Sequence, residues 1–347
     1  MKQNRLGKTD LMVSELCLGT MTFGTQTSEA DAHHQMETAL DGGINVLDAA
    51  EMYPVNPISK ETMGRTEEIL GNWFAKTGRR NDWIVATKHS GAGMKHARDG
   101  APISSDTIPS AVEGSLKRLK TDHIDLYQLH WPNRGSYMFR QNWTFDPSSQ
   151  DRAATLQNMA DVLGALGREI EKGRIRHIGL SNESAWGTTM WLRVAEAMAG
   201  PRMESIQNEY SLMCRMADTD LAEMMVNEQV SLLPFSPLAT GFLTGKYRDG
   251  AIPEGSRMAI NTDLGGRKTD RAFDAVEAYA SVAKEAGLDL PLMALAWSAR
   301  RPFVASSIFG ATTTEQLRYL LKAADVALND DVISALDETH KQHPMPF

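Results

Sequence analysis

Four residues with side chains that can hold or move a proton follow three successive apolar segments of the chain. They are Asp48, after the run at 44–47, and Tyr53 in the loop beyond it; Lys88, at the end of 83–88; and His130, at the end of 124–130. Short runs of branched apolar residues predict buried strands, and the carboxyl ends of parallel strands meet at one edge. Asp48 alone is equally consistent with a turn cap, and Tyr53 with a half-buried aromatic, but the two further strand ends favour a shared site.

Together, the four side chains have the chemistry of a site that protonates an oxygen. The pKa of free tyrosine is about 10, so tyrosine is a poor proton donor at neutral pH. An ammonium about 4 Å away, at an effective dielectric constant of about 20, favours the phenolate by roughly 4 kcal/mol, or roughly three pKa units, before desolvation acts in the opposite direction. We therefore expect Lys88 to lower the pKa of Tyr53. Asp48 would hold Lys88 charged, and His130 would orient a carbonyl oxygen beside the hydroxyl.

The composition limits the class of protein. Hydrophobic residues make up 42% of the chain and charged residues 23%, the balance of a globular protein. The length of 347 residues fits one α/β barrel, although length alone allows two domains. A net charge of -8 argues against nucleic acid as a partner. Two distant cysteines, no signal-peptide pattern and no apolar run near the ~20 residues of a membrane span lead us to expect a cytoplasmic protein without a membrane partner.

Strand and helix patterns alternate along the chain. Helices are predicted from Ser28 and at 66–76, 105–119, 153–171, 185–199, 270–286, 291–300 and 330–343, and further strands at 16–21, 205–207, 230–234 and 306–309, after a β-hairpin over 2–15. His33 and His34 are expected on the solvated surface of the first helix. Of the two long connections, 89–106 and 133–152, the second carries four aromatic residues. They form either a wall of a substrate pocket or a loop that packs on its own side chains.

Three patterns that resemble functional motifs are rejected on their spacing. Gly91-Ala92-Gly93 begins like a dinucleotide fingerprint, but His96 occupies the third glycine position and no helix is predicted there. The segment 241–247 is one residue short of a phosphate-binding loop and has a tyrosine where Ser or Thr would hold Mg²⁺. His89 and His96 have no third ligand nearby in the sequence, so no metal site is expected.

The pattern Asp-x-Ala-x-x-Tyr at 48–53, the strand-final Lys88 and Leu-His-Trp-Pro at 129–132 resemble the active-site series of the aldo-keto reductases. The resemblance covers nearly the whole chain, from 16 to about 340. It implies an α/β fold, a single (β/α)8 TIM barrel domain over 1–347 with an N-terminal β-hairpin beneath the barrel and an extra C-terminal helix. It also implies NADPH as cofactor, reduction of aldehyde or ketone carbonyls of small molecules, and a monomer.

The same resemblance assigns residues to the cofactor. Ser181 and Asn182 would hold the nicotinamide carboxamide together with Gln207. Phe235 would stack on the nicotinamide, and the backbone after it would wrap the pyrophosphate. Arg257 falls where the family pairs the adenosine 2′-phosphate, which favours NADPH over NADH. The full implied set is Thr20, Met21, Ser181, Asn182, Gln207, Phe235, Ser236, Pro237, Leu238, Ala239, Thr240, Gly241, Leu243, Lys246, Arg257, Gly310, Thr312 and Gln316.

The turn at 310–316 resembles the family's second phosphate-binding turn, at a helix N-terminus suited to anions. Leu320 stands where many relatives carry an Asn that holds the adenine, so the chain departs from the family pattern at this position. Alternatives to a general reductase remain: an enzyme specialised for one metabolite, or an NADPH-binding regulatory or sensor module with weak catalysis, since relatives of this barrel serve as channel subunits. The complete set of four proton-handling residues favours an enzyme.

Overall fold

Ten β-strands and eleven α-helices follow one another in the computed structural model, which describes residues 1–347. The strands are β1 (Gln3–Arg5), β2 (Met12–Ser14), β3 (Leu16–Gly19), β4 (Val46–Asp48), β5 (Ile84–His89), β6 (Ile124–Leu129), β7 (Ile175–Ser181), β8 (Met203–Gln207), β9 (Ser231–Leu232) and β10 (Ser307–Phe309). The helices are α1 (Glu29–Asp41), α2 (Arg65–Thr77), α3 (Thr107–Leu119), α4 (Arg152–Glu171), α5 (Ala185–Ala197), α6 (Asp220–Glu228), α7 (Arg257–Ile260), α8 (Asp270–Glu285), α9 (Leu290–Ala299), α10 (Thr314–Leu321) and α11 (Asp330–Gln342). All predicted helices and strands are present; α6 and the short α7 were not predicted.

Strands β3 to β10 form one parallel sheet in the order β10-β3-β4-β5-β6-β7-β8-β9. The two outer strands are joined by parallel bridges between Leu232 and Val304 and between Phe235 and Ile308. At the second bridge the Ile308 N–H donates to the Pro234 carbonyl at 2.8 Å. These contacts close the sheet into a cylinder, which removes its edges. The predicted (β/α)8 barrel is confirmed.

The N-terminal hairpin closes the amino end of the barrel, as predicted. Strands β1 and β2 pair antiparallel. A small apolar cluster joins the hairpin to the barrel interior: Leu6, Val13, Cys17, Val46, Ala86, Leu126, Leu233, Ala305 and Ile308. Because side chains alternate along a strand, residues two positions further on also point into the barrel, nearer its carboxyl end. That next layer contains Asp48, Lys88 and Gln128.

A large apolar cluster packs the helices on the outside of the barrel. Strand β6 is buried at every position, since its outer face meets helices and its inner face meets the barrel interior. Helix α1 begins at the predicted cap, where the Ser28 hydroxyl oxygen accepts the Asp31 N–H at 3.2 Å. The prediction that His33 is solvated is wrong: its Nε2 lies 3.0 Å from the Ile69 carbonyl, because α1 packs on α2. His34 is exposed, as predicted.

Two long connections lie on the carboxyl side of the barrel. In the first, 89–106, no α-helix begins before Thr107, in agreement with rejection of the dinucleotide fingerprint. In the second, 133–152, part of the loop packs on its own side chains, and the predicted substrate-pocket wall stays a prediction. Tyr137 and Phe145 pack edge to face within it at 6.2 Å, whereas Phe139 packs on Trp131, beside the site, at 6.3 Å. Separately, none of the helices combines the length and apolarity needed to span a bilayer.

Candidate active site

The four proton-handling side chains meet at the carboxyl ends of β4, β5 and β6. The Lys88 ammonium is fully buried and donates to Asp48 Oδ2 and to the Ala49 carbonyl, each at 2.7 Å. Its Nζ also lies 3.4 Å from the Tyr53 hydroxyl oxygen. The His130 ring stands edge-on to Tyr53, with 5.9 Å between ring centroids. The predicted grouping of these residues is therefore what the structure shows, and one ammonium lies between a carboxylate and a phenol.

The charges of this group differ from expectation at Tyr53. Burial raises the pKa of Tyr53 above its ordinary value, against the opposite effect of the Lys88 ammonium. The predicted net lowering is wrong for the protein alone, because desolvation and the Asp48 carboxylate together outweigh the lysine. For Lys88, burial alone would lower the pKa, but Asp48 and Tyr53 outweigh it and raise the pKa. At neutral pH the site holds a protonated phenol beside a charged ammonium.

His130 is neutral at neutral pH. Burial, followed by the positive charge of Lys88, lowers the pKa of His130 well below its ordinary value. Its Nδ1 is buried and has no hydrogen-bond partner in the protein. Its own backbone carbonyl accepts from Asn182 Nδ2 at 2.9 Å, which fixes the position of β6 relative to β7. A neutral imidazole can donate one ring N–H to a carbonyl oxygen without adding charge to the site.

The residues implied for the nicotinamide lie across the mouth from Tyr53. The Ser181 hydroxyl donates to the Gln207 carbonyl at 2.8 Å, and Gln207 Nε2 donates to Asp48 Oδ1 at 2.8 Å. Asn182 Oδ1 is buried without a hydrogen-bond partner, although the Asn182 amide nitrogen has two. A buried orphan acceptor is costly unless a ligand satisfies it. Asn182 Oδ1 therefore fits a ligand that donates an N–H, as a carboxamide does.

The segment 235–268, called the belt below, carries the other implied cofactor residues and has an unusual backbone. Ser236, Ala239 and Thr240 have φ values of 55°, 46° and 54°, followed by Gly241 at 104°. Consecutive left-handed residues turn backbone N–H groups toward one side, an arrangement that can bind anions. Pro237 and Leu243 are buried, Leu238 and Phe235 half-buried. The belt therefore has an apolar underside that anchors it and a polar backbone free to meet a phosphate.

Arg257 and Lys246, in the belt, lack acidic partners, as does the exposed Lys268. Arg257 contacts only the sulfur of Met21, with Nη2 at 3.7 Å, and Lys246 Nζ lies over the Tyr247 ring, 5.3 Å from its centroid. Burial, followed by the charge of Arg267, lowers the pKa of Arg257 to about 10, so the guanidinium stays charged at neutral pH. Unpaired cations beside a left-handed turn fit a phosphate-bearing cofactor.

The remaining implied cofactor residues are mostly occupied with contacts inside the protein. The Thr20 hydroxyl donates to the Asp48 carbonyl at 2.7 Å. The Thr312 N–H and hydroxyl both donate to Gln316 Oε1, at 3.0 and 3.1 Å, which closes that turn on itself. Gly310 is exposed at the end of β10. Leu320 packs in the apolar core, so it contributes no polar group where an adenine-binding Asn is expected.

Several residues of this region were missed by the sequence analysis. Gln128 accepts from Gln207 Nε2 at 3.2 Å and lies in the layer of Asp48 and Lys88; its spacing of two from Leu126 is a signal that could have found it. Glu209 accepts two hydrogen bonds from Arg267, at 2.7 and 2.8 Å, and one from Arg140 at 3.1 Å. That cluster ties the belt to the 133–152 loop, and no local pattern predicts it because its members are far apart in sequence.

A cavity of about 500 Å³ lies beside the site, beneath the 133–152 loop. Trp131, Arg134, Ser181 and Glu183 line it, together with side chains of α4, but none of the four proton-handling residues does. Its main polar pair is internal, since Arg134 is bonded to Glu183 through both of its terminal nitrogens. The four proton-handling residues therefore lie outside this cavity, at the barrel mouth.

Sequence comparisons agree with this geometry. The profile of the Aldo/keto reductase family matches residues 15–341. Protein tas of Escherichia coli (strain K12) is 42% identical over 352 aligned residues, covering 100% of this chain and 99% of that protein. The "Uncharacterized oxidoreductase YrpG" of Bacillus subtilis is 32% identical, over 97% and 95% of the two chains. A "Probable voltage-gated potassium channel subunit beta" of Arabidopsis thaliana is 31% identical, over 99% and 98%. The chain belongs to the aldo/keto reductase family.

Proposed function

We propose that this protein is an NADPH-dependent oxidoreductase that reduces aldehyde or ketone carbonyls of small molecules to alcohols. The observation that carries the proposal is the position of the Lys88 ammonium, 2.7 Å from Asp48 and 3.4 Å from the Tyr53 hydroxyl, with a neutral His130 alongside. This arrangement suits donation of one proton to an oxygen and stabilisation of the phenolate left behind. We further propose that the whole chain acts as one barrel domain, as a monomer in the cytoplasm.

NADPH would supply the hydride to the carbonyl carbon when bound. Asn182 Oδ1, with Ser181 and Gln207, would hold its carboxamide, because that acceptor is otherwise unsatisfied. Arg257 and Lys246 would meet its phosphates. A guanidinium forms forked hydrogen bonds with a phosphate dianion, and this is why we expect NADPH to be preferred over NADH.

The chain's own residues perform the rest. Neutral His130 donates a hydrogen bond to the carbonyl oxygen and sets it beside Tyr53. Tyr53 gives its proton to that oxygen, and the resulting phenolate is stabilised by Lys88, which Asp48 keeps charged and in place. The substrate thus gains one hydride and one proton, and the phenol regains its proton from solvent after the alcohol leaves.

A second function is favoured by the similarity to the Arabidopsis channel subunit. In that case the protein is an NADPH-binding regulatory module with weak catalysis. The two functions share the cofactor and differ in turnover, so a kinetic experiment separates them.

The test is a steady-state panel of aldehydes and ketones, each run with NADPH and with NADH, and checked for one alcohol formed per cofactor oxidised. The proposal expects turnover of several carbonyls with NADPH and a lower kcat/KM with NADH. Tight binding of NADPH without turnover of any carbonyl would support the regulatory module and contradict the reductase.

A further inference from the structure

We propose that Glu51 and Arg98 form a clamp that positions Tyr53, Lys88 and Trp131 for the reaction. Both are positioning residues, since neither touches the place where a carbonyl would lie. The inference rests on the proposed function for its kinetic consequence. The geometry points to a clamp because this one ion pair joins the loop after β4, the end of β5 and the 89–106 connection.

Glu51 connects the Tyr53 loop to the strand that carries Lys88. It lies three residues after Asp48 and two before Tyr53, and only 4% of it is exposed. Its backbone N–H donates to the Lys88 carbonyl at 3.2 Å. Its carboxylate Oε1 accepts the Ser90 N–H at 2.6 Å. The backbone and the side chain of Glu51 therefore hold the Tyr53 loop against the chain immediately after Lys88, at the Lys88 carbonyl and at the Ser90 N–H.

Arg98 completes the clamp from the 89–106 connection. Its Nη1 donates to Glu51 Oε2 at 2.7 Å and its Nη2 to Glu51 Oε1 at 2.6 Å, a bidentate pair. Burial would raise the pKa of Glu51, but the hydrogen bonds and charge of Arg98, together with His89 and the Ser90 N–H, outweigh it and lower that pKa, so the pair is ionised at neutral pH. Arg98 and Asp99 have φ values of 48° and 53°, in the left-handed region that non-glycine residues rarely adopt. Strain of this kind persists where surrounding contacts fix the backbone.

The same connection seats Trp131 beside His130. The Trp131 indole N–H donates to the Ala92 carbonyl at 3.0 Å. A side chain at Gly91 would place its first carbon 2.3 Å from two indole atoms, so glycine is required for the close approach. The Trp131 and His130 rings are 4.9 Å apart. Arg98 also bonds to the Ser90 carbonyl, at 3.4 Å, next to Gly91, so we expect its loss to loosen the Trp131 contact as well.

A longer distance between Lys88 and Tyr53 has a measurable electrostatic consequence. The charged groups that act on the Tyr53 phenol are Lys88, Asp48 and Arg257. Lengthening the 3.4 Å separation from Lys88 by about 1 Å, at an effective dielectric constant of about 20, raises the pKa of Tyr53 by roughly one unit. A loss of the clamp should thus move the ionisation of Tyr53 to higher pH and slow proton donation.

The experiment compares Glu51→Gln, Arg98→Met, their double variant and the milder Arg98→Lys. The control is Arg80→Met, which breaks an equally short Arg–carboxylate contact, 2.7 Å to buried Asp125, at the opposite end of the barrel. For each protein we would measure kcat, KM, the dissociation constant of NADPH, and phenol ionisation by ultraviolet difference spectra against a Tyr53→Phe background.

We expect kcat to fall about 10- to 50-fold in both single variants, with NADPH affinity unchanged. The kcat of the double variant should be no lower than that of the slower single variant, because both substitutions remove the same interaction. Arg98→Lys should recover part of the rate, and Tyr53 ionisation should move up by about half a unit or more. Arg80→Met should alter neither readout.

The clamp is refuted if Glu51→Gln, Arg98→Met and Arg98→Lys turn over at the wild-type rate with Tyr53 ionisation unmoved. If only the milder variant folds, wild-type values for Arg98→Lys refute it equally. Failure of the proposed function has a different signature, namely no turnover by the wild-type protein. The ionisation of Tyr53 needs no turnover, so it tests the clamp in either case.

Discussion

The two halves of the barrel mouth treat charge in opposite ways. On the half formed by β4, β5 and β6, the buried ammonium of Lys88 is matched by Asp48 at 2.7 Å, and Glu51 is matched by Arg98. On the belt half, Arg257 and Lys246 have no acidic partners, and the charge of Arg257 acts on the Tyr53 phenol. The charges of the first half, called the closed half below, are paired within the protein. The second half has unpaired cations that can bind an anion.

This difference separates two tasks. A site that must stabilise a developing charge gains most when its dipoles and charges are already fixed, because no reorganisation is needed during the reaction. A site that must bind and release a charged ligand gains from cations that stay partly hydrated until the ligand arrives. We therefore expect changes on the β4–β6 half to reduce kcat with little change in NADPH affinity, and changes on the belt half to do the reverse.

The largest effect is expected for Tyr53→Phe. Removing the proton donor should lower carbonyl reduction about 10²- to 10⁴-fold, while the dissociation constant of NADPH, measured by quenching of protein fluorescence, stays the same. Tyr127→Phe is a matched control, since that phenol oxygen is buried in β6 without a hydrogen-bond partner. Turnover of Tyr53→Phe at the wild-type rate would mean that another group supplies the proton.

Lys88→Met should give the next largest effect, this time on stability as well as rate. It leaves the Asp48 carboxylate buried without its partner, which typically costs about 3–5 kcal/mol. The double variant with Asp48→Asn should recover part of that loss, because the orphan charge is gone, yet remain slow. Urea unfolding of the wild type, Lys88→Met and the double variant measures this. Equal stability of Lys88→Met and wild type would show that Asp48 finds other compensation.

The residues of the closed half of the mouth were predicted correctly because the patterns that place them lie within short segments of the sequence. The apolar run of a strand shows where the strand ends, and the carboxyl ends of parallel strands meet at one end of a barrel. Asp48, Lys88 and His130 could therefore be placed together from their positions after three strands. The hairpin and the Ser28 cap were predicted for the same reason: each depends on residues within a few positions of one another.

Features that depend on distant residues were missed or mispredicted. The pKa of Tyr53 rises instead of falling because burial, which sequence does not give, dominates. His33 is half-buried because α2 covers it. Arg98 lies 47 positions from Glu51, and nothing in either neighbourhood predicts that they pair. Helices α6 and α7, nine and four residues long, were not predicted.

On the belt half, Arg257→Ala should weaken NADPH binding about 10- to 100-fold, the usual range for losing a hydrogen bond to a charged group. NADH binding should change little, because NADH lacks the 2′-phosphate. Arg248→Ala is the control: Arg248 also lies in the belt but is exposed and paired with Glu277. If Arg257→Ala lowers kcat at saturating NADPH as strongly as it weakens NADPH binding, the assignment of separate tasks to the two halves is wrong.

The smallest expected effect is the contribution of His130 to the pH dependence of protein stability. The pKa of His130 is lowered well below its ordinary value by burial and by Lys88, so its folded-state pKa lies below that of the unfolded chain, about 6.5. Below pH 6.5 the unfolded chain takes up a proton that the folded protein excludes, and stability falls as pH falls. The slope from this group is at most about 1.4 kcal/mol per pH unit.

Replacing His130 by Asn should therefore make the free energy of unfolding less sensitive to acid between pH 6.5 and 5, measured by urea titrations at half-unit steps. His34→Asn is the control, because that ring is exposed on α1. An unchanged slope in His130→Asn would show that the imidazole accepts a proton in the folded protein. In that case burial and the Lys88 charge would not keep the imidazole neutral, and the charges of the β4–β6 half would be less fixed than its geometry indicates.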